Sequence, residues 1–255
     1  MSSPGTIVPQ QGEVGRADDV VVFLPPAGSV TSPYPPIAAR LPGPAVLHCE
    51  TPGRGRLADQ PSPASVDEAV DRWTTELVGL LDPSTDQRLH LFGHSLGALF
   101  AYEVAARLEA SGTARVATLC VSGAREPGSV PRSLVATAFE ALRRRPPAEP
   151  GGADPGDDWV AHDLRMRREY RPTTASVRAP LALFCGTSDP FARPVEMEAW
   201  RRFTTGPFLG SFTFPGGHDY HLTAAEPVAD TIRRLLERPT DPRHHTTNSG
   251  VKHEG

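Results

Sequence analysis

Three residues of this 255-residue chain have types and an order that suit nucleophilic catalysis: Ser95, Asp189 and His218. A serine hydroxyl becomes a strong nucleophile only when a base takes its proton, and a carboxylate must hold that base in the right tautomer. Each of the three closely follows an apolar segment that is typical of a buried strand. The sequence therefore predicts a Ser-His-Asp triad in the chain order serine, acid, histidine.

The segment around Ser95 carries the strongest local signal. Ser95 is the centre of a Gly-x-Ser-x-Gly motif formed with Gly93 and Gly97, which continues an apolar strand and leads directly into an apolar helix. In such a nucleophile elbow, a sharp strand-to-helix turn exposes the serine, and glycines remove Cβ atoms that would clash at the corner. We therefore expect Ser95 to be the nucleophile.

The general base should follow the last strand of the domain, predicted at residues 211–214. His218 stands directly after a Pro-Gly-Gly turn at that point and is the preferred base. His221 is the alternative, although it lies closer to the start of the final helix. His48 and His90 lie in predicted strands and are expected to point into the structure.

The acid should follow an earlier strand. Asp189 comes soon after the strand predicted at residues 181–185 and is the preferred acid; otherwise it is an ordinary Asp-Pro turn residue. Some proteins with the same chain order of serine, acid and histidine place the acid one strand earlier, where Glu126 is the nearest carboxylate. Asp219, next to His218 in sequence, is expected to point away from it.

A tetrahedral oxyanion needs two hydrogen-bond donors. The first is the backbone N–H after the nucleophile, that of Leu96. The second should come from the loop after the first core strand, where Pro25 and Pro26 have no N–H to donate, so Ala27 is the best candidate.

The elements that must position these residues alternate between strands and helices. This alternation predicts the α/β class, with a mostly parallel central sheet flanked by helices. A capping box at Ser65 and Glu68 begins a helix that reaches about residue 82, and Thr223 and Glu226 predict a cap for the final helix. Strands are predicted at residues 20–24, 45–49, 89–92, 116–122, 181–185 and 211–214, and a further helix at 194–203.

The alternation of predicted strands and helices is interrupted between residues 125 and 174. Two amphipathic stretches, at 134–142 and 159–170, flank a segment rich in proline, glycine and aspartate. This insertion follows a strand end on the same edge as Ser95, which favours a helical lid over the active site; the alternative is a helical excursion without a gating role. Residues 19–238 are predicted to form one domain, between a disordered leader at 1–18 and a disordered tail at 239–255.

Composition and charge exclude several functional classes. The formal net charge is −4, which gives no electrostatic footprint for nucleic acid or an anionic membrane. No stretch approaches the length of a membrane span, and no signal peptide is evident at the start. Three widely spaced cysteines in predicted strands favour reduced thiols and therefore a cytoplasmic location. We also expect the protein to be soluble and monomeric.

The motifs as a set resemble type II thioesterases, the stand-alone editing enzymes of polyketide and nonribosomal peptide biosynthesis, an α/β-hydrolase family. The resemblance covers about residues 20–236. It also extends to a lid-region pattern at 163–166 and at 169–170. The motifs that carry it are Leu24-Pro25-Pro26-Ala27-Gly28-Ser29, Pro52-Gly53-Arg54-Gly55-Arg56, Gly93-His94-Ser95-Leu96-Gly97-Ala98, Gly186-Thr187-Ser188-Asp189-Pro190 and Pro215-Gly216-Gly217-His218.

This resemblance implies hydrolysis of an acyl thioester on the phosphopantetheine arm of an acyl or peptidyl carrier protein, with no metal or cofactor. It also implies the roles of Ala27 as an oxyanion donor and Asp189 as the acid. The chain departs from the family pattern at Pro26, where histidine is usual, at Ser29, where glycine is usual, and in a shorter lid segment. The last two departures put the acyl specificity in doubt.

Two groups of arginines invite a binding role. Arg54 and Arg56 are candidates for attracting a phosphopantetheine phosphate or an acidic carrier protein, or else are solvated or paired with Glu50 and Asp59. The arginine run at residues 143–145 is either a docking patch or the solvent-facing end of a lid helix.

Other functions remain open from the sequence. The same acyl-enzyme would serve a trans-acting cyclase or acyltransferase that delivers the acyl group to a hydroxyl or amine. A small-ester hydrolase would use the same residues. A non-catalytic subunit that only binds carrier proteins would not need the triad.

Overall fold

Six apolar segments form parallel strands in the computed structural model, which describes residues 4–129 and 155–238. Within these residues one sheet of seven strands has the order β1-β3-β2-β4-β5-β6-β7, and only β1 is antiparallel to its neighbour. The prediction of an α/β fold with a mostly parallel sheet is confirmed. The strands are β1 (Ile7–Gln11), β2 (Asp19–Leu24), β3 (Ala45–Cys49), β4 (Arg88–His94), β5 (Arg115–Ser122), β6 (Leu181–Gly186) and β7 (Phe208–Phe214).

Helices cover both faces of the sheet, which explains why the strands read as continuous apolar runs. In β2, Val20 and Val22 pack on one side with residues of the helices Val66–Leu80 and Leu96–Ser111, while Val21 and Phe23 pack on the other with residues of the helix Ala225–Leu236. The helices are α1 (Pro35–Ala38), α2 (Val66–Leu80), α3 (Leu96–Ser111), α4 (Pro155–Glu169), α5 (Pro194–Met197), α6 (Tyr220–Thr223) and α7 (Ala225–Leu236). Three-residue 3₁₀ turns lie at Val14–Arg16 and Gly55–Leu57, and a longer 3₁₀ helix at Glu198–Phe203.

Helix ends follow the sequence signals in some cases and not in others. Ser65 caps α2 by accepting the Glu68 N–H at 3.1 Å, as predicted. Gly112 ends α3 in a left-handed conformation with φ of 65°. The predicted cap of the last helix is wrong. Thr223 is the last residue of α6, and the residue before α7 is Ala224, which provides no side-chain cap.

The prediction of a disordered leader at residues 1–18 is wrong for its described part. Residues Ile7–Gln11 form β1, which pairs with β3 and covers that edge of the sheet. Glu76 of α2 holds its start: the carboxylate accepts the backbone N–H of Thr6 at 2.7 Å and that of Ile7 at 2.9 Å. These partners are distant in sequence, so composition alone does not reveal the strand.

The cysteines lie inside the sheet. Cys49, Cys120 and Cys185 are free thiols in β3, β5 and β6, and each is at most 3% exposed. Burial raises the pKa of all three thiols above the ordinary value. They therefore behave as small apolar side chains.

Helix α4 is the described part of the predicted lid insertion. Met166 of α4 and Tyr170, which directly follows the helix, join the core cluster that contains α3. The other predicted lid stretch, at 134–142, and the tail at 239–255 lie outside the described residues. Among the helices that the structure describes, none combines the length and apolar character needed to cross a membrane.

Candidate active site

Ser95 occupies a strained turn between β4 and α3. Its φ of 56° makes it the one non-glycine residue with positive φ in the described part of the chain. A Cβ atom on Gly93 would lie 1.9 Å from the carbonyl oxygen of Gly97, and one on Gly97 would lie 2.5 Å from that of Leu24. The sharp strand-to-helix turn predicted at Ser95 is therefore present, and both flanking glycines are required by close backbone approach.

The register between β2 and β4 brings the candidate oxyanion loop to the elbow. Leu24 pairs with Gly93, so the chain after β2 runs beside Ser95. In that loop the N–H of Gly28 donates to Asp163 at 2.7 Å, and the N–H of Ser29 donates to the carbonyl of Pro26 at 3.3 Å. These two donors are occupied, which strengthens the case for Ala27.

The candidate acid and base meet at the other side of the elbow. Gly186 of β6 pairs with Phe214 of β7, so Asp189 and His218 follow paired positions by three and four residues. Oδ2 of Asp189 lies 2.9 Å from Nδ1 of His218. A proton on Nδ1 in this hydrogen bond leaves Nε2 free to act as a base.

The carboxylate of Asp189 is fixed by the loop that follows it. Its Oδ1 atom accepts the backbone N–H groups of Phe191 at 2.8 Å and of Ala192 at 3.1 Å. Asp189 is 1% exposed. These bonds define the orientation of the acid independently of His218.

His94, the chain neighbour of Ser95, connects the elbow to the histidine loop. The ring centroids of His94 and His218 are 4.6 Å apart. Nδ1 of His94 lies 2.8 Å from the hydroxyl of Ser122, which lies 2.6 Å from the hydroxyl of Tyr220. The sequence offered no signal for this buried chain of hydrogen bonds, because its three members are distant in the chain.

Burial is the largest cause that lowers the pKa of His94 well below its ordinary value, and the charges of His221 and His218 act in the same direction. His94 therefore remains neutral near neutral pH. A neutral ring next to His218 adds no repulsion when His218 takes a proton.

The alternative acid and base lie elsewhere. Glu126 pairs with Arg202 at 2.9 Å, whereas the carboxylate that contacts the His218 imidazole is that of Asp189. His221 is buried in α6, with its ring centroid 4.2 Å from that of His94. It is His218 that the structure joins to Asp189.

One cluster in the described residues has the composition of a metal site. The potential ligand atoms of His94, Asp219 and His221 all lie within 4.8 Å of one another. A tetrahedral ion bound by both rings would hold their centroids about 5 Å apart. The ring centroids of His94 and His221 lie 4.2 Å apart instead, with the ring planes tilted by 39°, which does not suit a shared ion.

Arg54 does not face a ligand. Its guanidinium is buried and makes an ion pair with Asp163 of α4 at 2.7 Å. For Arg54, the predicted roles in phosphate binding or in pairing with Glu50 or Asp59 are therefore wrong. For Arg56, the predicted pairing with Glu50 is confirmed. The run at 143–145 lies outside the described residues.

Comparison with known proteins identifies the family of this chain. The family model described as "Thioesterase domain" matches residues 20–150, more than half of the chain. The chain belongs to the thioesterase family. The predicted resemblance is confirmed at this level.

Two relatives of this thioesterase-family chain are themselves named thioesterases, and one of them is named for a biosynthetic pathway. It is 33% identical over 240 residues to the "Probable cadicidin biosynthesis thioesterase" of Streptomyces griseus, with 87% of this chain and 63% of that protein covered. It is 32% identical over 214 residues to "Thioesterase PikA5" of Streptomyces venezuelae, with 78% and 74% covered. The chain thus spans less than two thirds of the cadicidin relative.

A solved structure gives the same fold. The type II thioesterase BorB from the borrelidin biosynthetic cluster superposes with a TM-score of 0.76 at 27% identity. The match covers 92% of this chain and 98% of that one. The predicted α/β-hydrolase fold is confirmed.

Proposed function

We propose that this member of the thioesterase family hydrolyses acyl thioesters from the phosphopantetheine arm of an acyl or peptidyl carrier protein in polyketide or nonribosomal peptide biosynthesis. The observation that carries the proposal is the hydrogen bond between Asp189 and His218 at the sheet edge where Ser95 forms a strained elbow. The names of the relatives support the substrate class.

In the first half of the reaction, Nε2 of His218 takes the proton of the Ser95 hydroxyl as its oxygen attacks the thioester carbonyl. Asp189 holds the imidazole and stabilises its positive charge. The backbone N–H groups of Leu96 and Ala27 bind the oxyanion. The carbon–sulfur bond then breaks, and the pantetheine sulfur leaves as a thiol with the proton from His218.

In the second half, His218 takes a proton from water, and the resulting hydroxide attacks the acyl-enzyme at the carbonyl carbon. The oxyanion returns to the same two N–H groups. Collapse of this intermediate returns the proton to Ser95 and releases the carboxylic acid. The cycle consumes one water and needs no metal or redox cofactor.

We further propose that the protein works as a monomer in the cytoplasm, and that neither nucleic acid nor a membrane is a partner. Three buried free thiols support a reducing compartment. Size-exclusion chromatography with light scattering tests the monomer, and a stable dimer would contradict it.

The test combines the purified protein with an acyl-loaded carrier protein and follows intact mass and small products. Free acid together with the unloaded carrier, both abolished in Ser95→Ala, is the expected result. A lactone, a lactam or an acyl group transferred to another acceptor would instead assign a cyclase or acyltransferase. An inactive wild-type protein that also fails to cleave small esters would contradict the proposal.

A further inference from the structure

The carboxylate of Asp163 joins α4 to two loops at once. Its Oδ2 atom accepts the N–H of Gly28 at 2.7 Å and Nη1 of Arg54 at 2.8 Å. Its Oδ1 atom accepts Nη2 of Arg54 at 2.7 Å. One side chain of the lid-region helix therefore holds both the oxyanion loop and the loop after β3.

This ion pair is closed to solvent. The side chains of Arg54 and Asp163 are 1% and 3% exposed. Charges taken out of water persist only with close pairing and further hydrogen bonds, which the two parallel N–H···O contacts and the Gly28 N–H provide. The pair therefore has one favourable arrangement, and it holds its three segments in one relative position.

Gly28 fits against the same face of α4. Its φ is +75°, and a Cβ atom at this position would lie 2.6 Å from Cγ2 of Val160. Val160 precedes Asp163 by three residues and so lies on the same side of the helix. The backbone of the oxyanion loop is thus placed by steric contact as well as by the carboxylate.

Fixing the backbone at Gly28 also restricts the conformation of Ala27. The N–H of Gly28 belongs to the peptide group that begins at the carbonyl of Ala27, so fixing that peptide plane limits the ψ angle of Ala27. Upstream, Pro25 and Pro26 have restricted φ angles. The direction of the Ala27 N–H is therefore constrained from both sides.

We infer that Asp163, held in place by Arg54, is a positioning residue that orients the Ala27 N–H towards the oxyanion. The rate of catalysis therefore depends on the position of α4 against this loop. This inference rests on the proposed function. It gives the buried pair a role in the chemical step, beyond that of attaching a helix.

A second contact near the same helix provides a matched control, because it attaches α4 to the core without involving the oxyanion loop. Near the C-terminal end of the same helix, the hydroxyl of Tyr170 donates to Oε1 of the buried Glu103 at 2.7 Å. This contact holds the end of the segment to α3 and includes no residue of the oxyanion loop. Tyr170→Phe removes one buried hydrogen bond while leaving the loop contacts in place.

The experiment measures hydrolysis of an acyl N-acetylcysteamine thioester by the full chain and by Asp163→Asn and Tyr170→Phe, with thermal unfolding of each protein. We expect Asp163→Asn to lower kcat about 10- to 100-fold, since complete removal of one oxyanion donor costs about 10²–10³. KM should change less than about twofold, because the lost interaction acts in the transition state. Tyr170→Phe should lower the unfolding temperature and keep kcat within about twofold.

A second readout is binding of an alkylboronic acid, which bonds to the serine oxygen and places an oxygen in the oxyanion hole. Its affinity should fall in Asp163→Asn by about the same factor as kcat. In protein labelled with ¹⁵N-glycine, the Gly28 amide resonance should move in Asp163→Asn and stay in Tyr170→Phe. If Asp163→Asn does not fold, Arg54→Lys keeps the charge, loses the paired geometry and should lower kcat in the same direction.

Unchanged kcat in Asp163→Asn, or an equal loss in Tyr170→Phe, would overturn the inference. In both cases the wild-type protein still hydrolyses the thioester, so the proposed function stands. A wild-type protein that cleaves no thioester contradicts the proposed function itself, and the two failures are thereby distinguished.

Discussion

Asp189 contacts His218 through one carboxylate oxygen and its own loop through the other: Oδ2 lies 2.9 Å from Nδ1 of His218, while Oδ1 accepts two backbone N–H groups. Asp189→Asn preserves the shape and an oxygen for the backbone, but removes the charge that stabilises the imidazolium. We expect kcat to fall about 10³- to 10⁴-fold in steady-state thioester hydrolysis. The unfolding temperature should change little.

The control for this substitution is Glu126→Gln. Glu126 pairs with Arg202 and is the alternative acid from the sequence. Its variant should retain kcat within about twofold, as expected for a carboxylate whose partner is an exposed arginine. If Asp189→Asn kept full activity while Glu126→Gln lost it, Glu126 and not Asp189 would be the acid of the triad.

The elbow makes a prediction about stability. Gly97→Ala places a methyl group 2.5 Å from the carbonyl oxygen of Leu24, so the turn must open. We expect the free energy of unfolding to fall by more than about 2 kcal/mol, with loss of activity, in denaturant titrations.

Gly79 provides the comparison for that substitution. It lies in α2, and a Cβ there would meet no atom within 4 Å beyond its own stretch of the helix. Gly79→Ala should leave activity unchanged and raise the free energy of unfolding by up to about 1 kcal/mol. Equal effects at Gly79 and Gly97 would contradict the steric explanation.

The burial of His48 predicts that the folded protein loses stability in acid. Burial lowers the pKa of His48 from 6.5 to about 4, and both ring nitrogens are without a hydrogen-bond partner. Between these pH values the unfolded chain binds a proton that the folded protein does not, so the free energy of unfolding falls as pH falls. From pH 6.5 to 4 the contribution of this one ring amounts to about 3 kcal/mol.

The measurement is the free energy of unfolding of wild type and His48→Leu at several pH values between 4 and 8. The variant should show a weaker decline in acid, by about that amount. His90 and His94, whose pKa values are also lowered by burial, should maintain part of the decline. Identical pH profiles for the two proteins would rule out the contribution of His48.

The hydrogen bonds of Glu76 are expected to stabilise the attachment of β1 to the sheet. Its carboxylate accepts two backbone N–H groups and the hydroxyl of Thr6 at the start of β1. Glu76→Ala should lower the free energy of unfolding by about 1–3 kcal/mol, because these donors lose their acceptor. Hydrogen exchange should show faster exchange of the β1 amides.

A surface ion pair is the matched control for Glu76. Asp230 pairs with Arg233 on α7, and both side chains are partly exposed. Asp230→Ala should change the free energy of unfolding by less than about 1 kcal/mol. Unaltered exchange in β1 of Glu76→Ala would contradict the role assigned to Glu76.

The sequence predicted those features whose causes are local. The apolar runs of β2, β4 and β6, the Ser65 cap and the glycines of the elbow are each determined within a few residues, and all appear in the structure. The order of Ser95, Asp189 and His218 follows from the strands that precede them. Sequence alone therefore placed the candidate triad.

Features that depend on tertiary pairing were missed or misinterpreted. Residues 7–11 form a strand because β3 offers an open edge and Glu76 holds the first residues. Arg54 looked like an exposed cation because its partner, Asp163, lies 109 positions away in the chain. Long-range contacts of this kind leave no periodicity in the sequence.

The burial of Cys49, Cys120 and Cys185 has a practical consequence for kinetics. Each turnover of a pantetheine thioester, the proposed substrate, releases a thiol, which reacts with an aromatic disulfide reagent to give a coloured product. Thiols of high pKa inside a folded sheet do not form the reactive thiolate, so the native enzyme contributes no background. The same reagent therefore reports turnover while the protein is folded and exposure of the sheet when it unfolds.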